Sequence, residues 1–313
     1  MRLSMRTLYG GLLTDLEHLT ESMYKYQTQI ATGKKFQRPS DAPVELNYAL
    51  GYRKALAEID RYQESIREAT SFLKTAEGAL KGLKKVIERA KELALKGAND
   101  IQNASTRKAM AAELDGLIQE ALSLANTQDG DRYVFAGNRP TGYQEGEKPF
   151  ELVKKVLPDG QVVEQVVYKG GAENLYLGYA RGSKILVGRN GEEALMASDL
   201  FSALIALRNT LANDNVADPR QEVEDIQTQI GRLDKVLNHI LEERSAVGTR
   251  LDHLELKKNL YQDFHDILIG NLGEVEEVDY LEAVTKLNAK RTAYEAALKA
   301  ATQTMGLSLV NFL

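Results

Sequence analysis

Hydrophobic positions recur along this chain at alternating steps of four and three. The first series is Met5, Tyr9, Leu12, Leu16, Leu19, Met23, Tyr26 and Ile30. About four unbroken heptads of this kind read as a coiled-coil seam. Gly33 can take the left-handed conformation that ends such a helix. A polar linker, residues 33–41, follows. Ser40 or Asp41 is expected to cap a second helix, with Pro43 in its first turn, running to about Gly97. That helix carries two overlapping seams. One is Ala49, Tyr52, Leu56, Ile59, Gln63, Ile66, Thr70 and Leu73; the other is Phe72, Ala76, Ala79, Leu83, Val86, Ala90 and Leu93. Two seams imply more than one packing neighbour. Ser105 is expected to open a third helix, with Met110, Leu114, Leu117, Ala121 and Leu124 on one face, ending near Gly130.

The C-terminal half repeats the rhythm. Helix is expected to return near Asp199. After Asp218-Pro219 the longest series begins: Ile226, Ile230, Leu233, Leu237, Ile240, Arg244, Val247, Leu251, Leu254, Lys258, Tyr261, His265, Leu268, Leu272. The last is Tyr280, Val284, Leu287, Arg291, Tyr294, Leu298, Ala301, Met305, Ser308 and Phe312. Between the halves the pattern changes. Residues 133–198 hold 10 of the 24 glycines, and short β-prone runs replace heptads. Segments 150–157 and 161–168 flank Pro158-Asp159-Gly160, a hairpin turn sequence, and further strands are expected at 175–179 and 184–187.

The expected fold is mainly α: an elongated helical bundle or coiled coil built from both termini, with a small β-rich domain inserted in the middle. The simplest pairing sets the first helix against the last and the second and third against the long one. This gives a terminal coiled-coil domain from 1–32 plus 274–313. A helical rod domain comes from 33–137 plus 195–273, and a small β-rich outer domain from 138–194.

Composition narrows the chemistry. The chain has 313 residues, with 45 acidic and 40 basic side chains and no cysteine. A net charge of -5 supplies no basic field for a phosphate backbone, so no nucleic-acid partner is expected. Without cysteine there is no disulfide, thiolate metal site or cysteine nucleophile. His18, His239, His253 and His265 show no HxxH or HxxxH spacing. Ala31-Thr32-Gly33-Lys34-Lys35 lacks the upstream glycine and following Ser/Thr of a phosphate loop. No catalytic, cofactor or metal residues are assigned. No run approaches the roughly 20 apolar residues of a membrane helix, and the N-terminus lacks a cleavable signal-peptide layout.

Three stretches carry a family resemblance. Gln29-Ile30-Ala31-Thr32-Gly33-Lys34-Lys35, followed by Arg38-Pro39-Ser40-Asp41-Ala42-Pro43, is similar to a Q-I-A-T-G-K-R…P-S-D-D-P signature, with Ala42 in place of the second Asp. Ala125-Asn126-Thr127 through Gly130 to Tyr133-Val134-Phe135-Ala136-Gly137 is similar to an A-N…G-x-Y-L-F-A-G exit. Arg244 through Gly248 to Arg250-Leu251 is similar to R-x-x-x-G-x-R-x. The chain thereby resembles the flagellin superfamily, and within it the hook-associated protein 3 family of hook–filament junction proteins. Filament flagellins are the near alternative, but their I-N-T-N opening and D-D-A-A-G segment are absent. A cytoplasmic coiled-coil scaffold is the alternative from another class.

The resemblance implies a structural subunit of the extracellular flagellum, exported without a cleaved signal and not an enzyme. Its implied partners are copies of itself in a ring, the preceding hook-associated protein, flagellin, and an export chaperone on the C-terminal helix. Assembly-interface residues are expected on the terminal seams: Met5, Tyr9, Leu12, Leu16, Leu19, Met23, Tyr26 and Ile30, with Tyr280, Val284, Leu287, Tyr294, Leu298, Ala301, Met305 and Phe312. Leu3, Leu8 and Leu13 at one end, and Leu307, Leu309, Val310 and Leu313 at the other, lie off those seams. A two-helix coil cannot bury them all, so further partners are expected. A second expectation concerns charge. If the terminal helices run antiparallel, Lys34, Lys35 and Arg38 lie level with Glu274, Glu276, Glu277 and Asp279 and clip the hinge beside them.

Overall fold

The structure is a computed structural model that describes residues 5–98, 104–144, 146–156, 162–213 and 219–310. Long helices dominate it. They are α1 (Met5–Thr32), α2 (Pro43–Gly97), α3 (Ala104–Ala125), α4 (Leu200–Ala212), α5 (Pro219–Glu276) and α6 (Tyr280–Val310). Six short strands lie between α3 and α4, and a π-helical turn, Glu192–Met196, precedes α4. The expected mainly α fold with a β-containing centre is therefore what the chain adopts. It divides into two units. One comprises residues 1–59 and 262–313, and the other residues 60–261.

The second unit holds most of the core. On α2 the buried positions Ile66, Ala69, Leu73, Ala76, Leu80, Leu83, Ile87, Ala90 and Ala94 step by threes and fours down one side. They meet Leu114, Ile118 and Ala121 of α3, Leu200, Leu204 and Leu207 of α4, and Leu233, Val236 and Ile240 of α5. Cross-links fix α2 and α5 as antiparallel. Tyr62 stacks near Tyr261 with ring centroids 5.5 Å apart, Arg244 reaches Glu77 at 3.4 Å, and Lys91 reaches Asp234 at 2.5 Å.

The β segments form three separate antiparallel hairpins: β1 (Gln128–Asp129) with β2 (Arg132–Tyr133), β3 (Phe150–Val156) with β4 (Val162–Tyr168), and β5 (Leu175–Ala180) with β6 (Ser183–Gly188). The expected Pro158-Asp159-Gly160 turn lies outside the described residues. Each larger hairpin buries one face against helices. Phe150, Val166, Ile185 and Val187 belong to the same core as α2 to α5. Two-stranded ribbons are marginal alone, and this shared core is what supports them.

The second signature stretch is a backbone junction between the helices and hairpins. The Asn126 side chain donates to the Phe150 carbonyl at 2.9 Å and accepts from the Phe150 N–H at 3.0 Å, acting as a strand neighbour. Gly137 has φ +59°, and a Cβ there would stand 2.4 Å from the Glu173 carbonyl. Only glycine fits both demands. In the third stretch, Arg244 pairs with Glu77. Arg250 is half-buried near Glu243, and burial lowers its pKa. Buried Glu243 is held by Arg189 at 2.7 Å.

Candidate assembly interface

The terminal unit is built from α1, the linker, the start of α2, the end of α5, and α6. Helix α1 packs along α6. Leu12, Leu16, Leu19, Met23, Tyr26 and Ile30 are all half-buried, so the first seam faces inward for as far as its side chains are described. Met5 and Tyr9 lie in α1, and Met305 in α6, with side chains outside the described residues; Phe312 lies outside them altogether.

On α6 the inward face differs from the large-residue seam. Ala283 and Ala301 are buried, and Leu287, Lys290, Tyr294 and Ala297 are half-buried. This series shares Leu287, Tyr294 and Ala301 with the expected one. Tyr280, Val284 and Leu298 stand exposed instead, with Leu281 beside them at 80%. Alanines on the packed side let two helices approach closely, which leaves the bulky residues outside.

The balance of burial is the distinctive feature of this unit. Its buried apolar side chains, among the described residues, are Phe36, Ala49, Ile59, Ala283 and Ala301. Its exposed large apolar side chains are more numerous and larger. They are Leu13 and Tyr24 on α1; Val44, Tyr48 and Leu50 on α2; Phe264, Ile267 and Ile269 on α5; and Tyr280, Leu281, Val284 and Leu298 on α6. Single exposed apolar residues are ordinary, but so many on every helix of one unit mark a surface made to be covered.

The linker is tied to the end of α5 by backbone pairing. Gly33, φ +72°, closes α1 through its N–H to the Gln29 carbonyl at 2.8 Å, and the Tyr280 hydroxyl stands 2.8 Å from where a Cβ would sit. The Val278 N–H donates to the Gly33 carbonyl at 2.9 Å, and the Lys35 N–H to the Glu276 carbonyl at 2.7 Å. Lys34 and Glu277 form an isolated antiparallel bridge.

Charge reinforces this crossing at one point. The Glu276 carboxylate is buried. Its Oε2 accepts from Arg53 of α2 at 2.7 Å and lies 3.7 Å from Lys34 Nζ, while Oε1 has no hydrogen-bond partner among the described residues. Lys35 Nζ donates to the Glu274 backbone carbonyl at 2.5 Å. Lys34, Lys35, Glu274 and Glu276 are thus brought together, and Glu277 joins through its backbone.

Arg38 and Asp279 do other things. Asp279 caps α6 by accepting from the Glu282 N–H at 3.0 Å. The Arg38 N–H donates to Asp41 at 3.1 Å, and its guanidinium makes no ion pair among the described residues. That bond also corrects the expected capping of α2. Asp41 accepts from the Arg38 and Gln37 N–H groups behind it, so its carboxylate is turned away from the helix. Those bonds, Arg38 first, hold its pKa below the usual carboxylate range. Arg53 was not legible in the sequence, because a partner 223 residues away leaves no local signal.

Among the described residues there is no cluster of three or more His, Asp or Glu able to hold a metal ion, and no helix long and apolar enough to cross a membrane. Residues 7–139 match the bacterial flagellin N-terminal helical region. Flagellar hook-associated protein 3 of Escherichia coli K12 is 26% identical over 329 aligned residues, covering 99% of this chain and 98% of that protein. The Salmonella typhimurium LT2 protein of the same name is 25% identical, covering 99% and 98%. The flagellar junction protein FlgL of Legionella pneumophila has the same fold, with a TM-score of 0.58 at 16% identity over 73% of this chain and 99% of that one. Over nearly its whole length the chain is thus similar to flagellar hook-associated protein 3, and over residues 7–139 to the bacterial flagellin N-terminal helical region.

Proposed function

We propose that the chain is a structural, non-enzymatic subunit of the bacterial flagellum that works as an adaptor at the hook–filament junction. One observation carries the reading: the terminal unit exposes more large apolar side chains than it buries, so its core is completed by neighbours. Those neighbours are copies of the chain in a ring, the preceding hook-associated protein on one side and flagellin on the other. Before export the same unsatisfied α6 surface fits an export chaperone, since an apolar helix face is what such a partner would cover. The absence of cysteine suits a chain exported unfolded, with no thiol to cross-link on the way. The charged crossing at Glu276 acts as the clip at the base of the terminal helices.

The test is deletion of residues 1–30 or 281–313. Each truncated chain is expected to keep a folded middle by circular dichroism and to be missing from sheared flagella. A truncated chain that still enters the flagellum would refute the interface.

A further inference from the structure

The net charge of -5 is unevenly distributed. On α2, Lys74, Lys81 and Lys85 are exposed and make no ion pair among the described residues. Steps of seven and four keep them on one helical face, about 16 Å from first to last. Glu77, the one acid within that interval, is committed to Arg244. On α5, Asp252 and Asp263 are likewise exposed and make no ion pair among the described residues, and they are eleven residues apart, the spacing of Lys74 and Lys85. Leu256, exposed, and Asn259 share their face, while Lys257 and Lys258 fall on other sides of the helix.

These two faces match in spacing and oppose in sign. Each is exposed on its own helix and its charges make no ion pair among the described residues. A molecule carrying both halves of a contact on different surfaces forms a heterologous interface, which closes into a ring or propagates as a helix. We propose that the Lys74–Lys81–Lys85 strip of one copy docks antiparallel on the Asp252–Asp263 face of α5 in the next copy. Lys85 then meets Asp252, Lys74 meets Asp263, and Lys81 sits over Leu256. Exposed charge pairs are individually weak, so this surface orients and steers neighbours, while apolar contacts of the terminal unit hold them. The inference rests on the self-assembly proposed above.

The absence of cysteine makes the test clean. Cells lacking the native copy produce two full-length versions together, one with Lys81→Cys and one with Leu256→Cys, and their flagella are sheared off and mildly oxidised. A disulfide-linked dimer of the two versions is expected. Adding Lys74→Glu and Lys85→Glu to the first version should cut the dimer at least about tenfold, and Asp252→Lys with Asp263→Lys in the second should restore it. Flagella that contain both versions but yield no dimer overturn this contact and leave the assembly reading standing. Versions that fold in the cell yet never enter flagella overturn the assembly reading and this contact with it.

Discussion

Replacing Glu276 by Gln probes the crossing at the base of the terminal helices. The substitution keeps the shape and removes the charge that Arg53 and Lys34 address. A hydrogen bond to a charged group contributes about 1.5–3 kcal/mol. The Arg53 side chain is 45% exposed and partly screened, which places the loss in the lower part of that range, about 1.5–2 kcal/mol. That corresponds to a roughly 12- to 30-fold larger population of the locally open state, and exchange faster by the same factor. The assay is amide hydrogen exchange at Lys35 and Val278, whose N–H groups bond to the Glu276 and Gly33 carbonyls. Amides of α2 around Leu83, in the other unit's core, should be unchanged. Arg53→Ala should loosen the same amides further, because it leaves a buried carboxylate with only Lys34 at 3.7 Å. Unchanged exchange at Lys35 and Val278 in both variants, or equal change at Leu83, would refute the reasoning.

Three further outcomes are expected. Phe72→Ala removes a fully buried ring from the core of the second unit and should cost about 3–5 kcal/mol by urea unfolding. Gly137→Ala should cost more than about 1 kcal/mol in the same assay, since it adds a Cβ 2.4 Å from a carbonyl at positive φ. Glu164 bridges Arg208 at 2.6 Å and Lys154 at 3.3 Å, and these bonds, Arg208 first, lower its pKa. A carboxyl depressed in the folded state stabilises above its unfolded pKa and stops doing so as pH falls through the folded one. Thermal unfolding should therefore separate Glu164→Gln from the parent at pH 7, with the gap closing below about pH 4, under the ordinary glutamate range.

Much of this architecture was legible because heptads are long-range signals. Twenty to fifty residues of consistent period outvote local noise, and α1, α2, α5 and α6 follow the expected runs. The inward side of α6 was not legible. Its seams through Tyr280, Val284 and Leu298 and through Ala283, Lys290 and Ala297 share three residues, and sequence reasoning favours the larger side chains. Only packing on α1 reveals that the alanines go inside. The start of α2 failed for a local reason, since Asp41 had backbone donors on both sides and took those behind it. The hairpins were placed by alternation and turn residues, but alternation does not say what the buried face meets. That the hairpins share the helical core through Phe150 and Val187 needed the structure.

The central claim is that the terminal unit is unfinished in the single chain and completed by assembly. Hydrogen exchange on α1 and α6, in the isolated subunit and in sheared flagella, tests it most directly. Protection of α1 and α6 should rise by orders of magnitude on assembly, while the α3 and α4 amides around the buried Leu114 and Leu204 stay as they are. Equal protection of α1 and α6 in both states would contradict it.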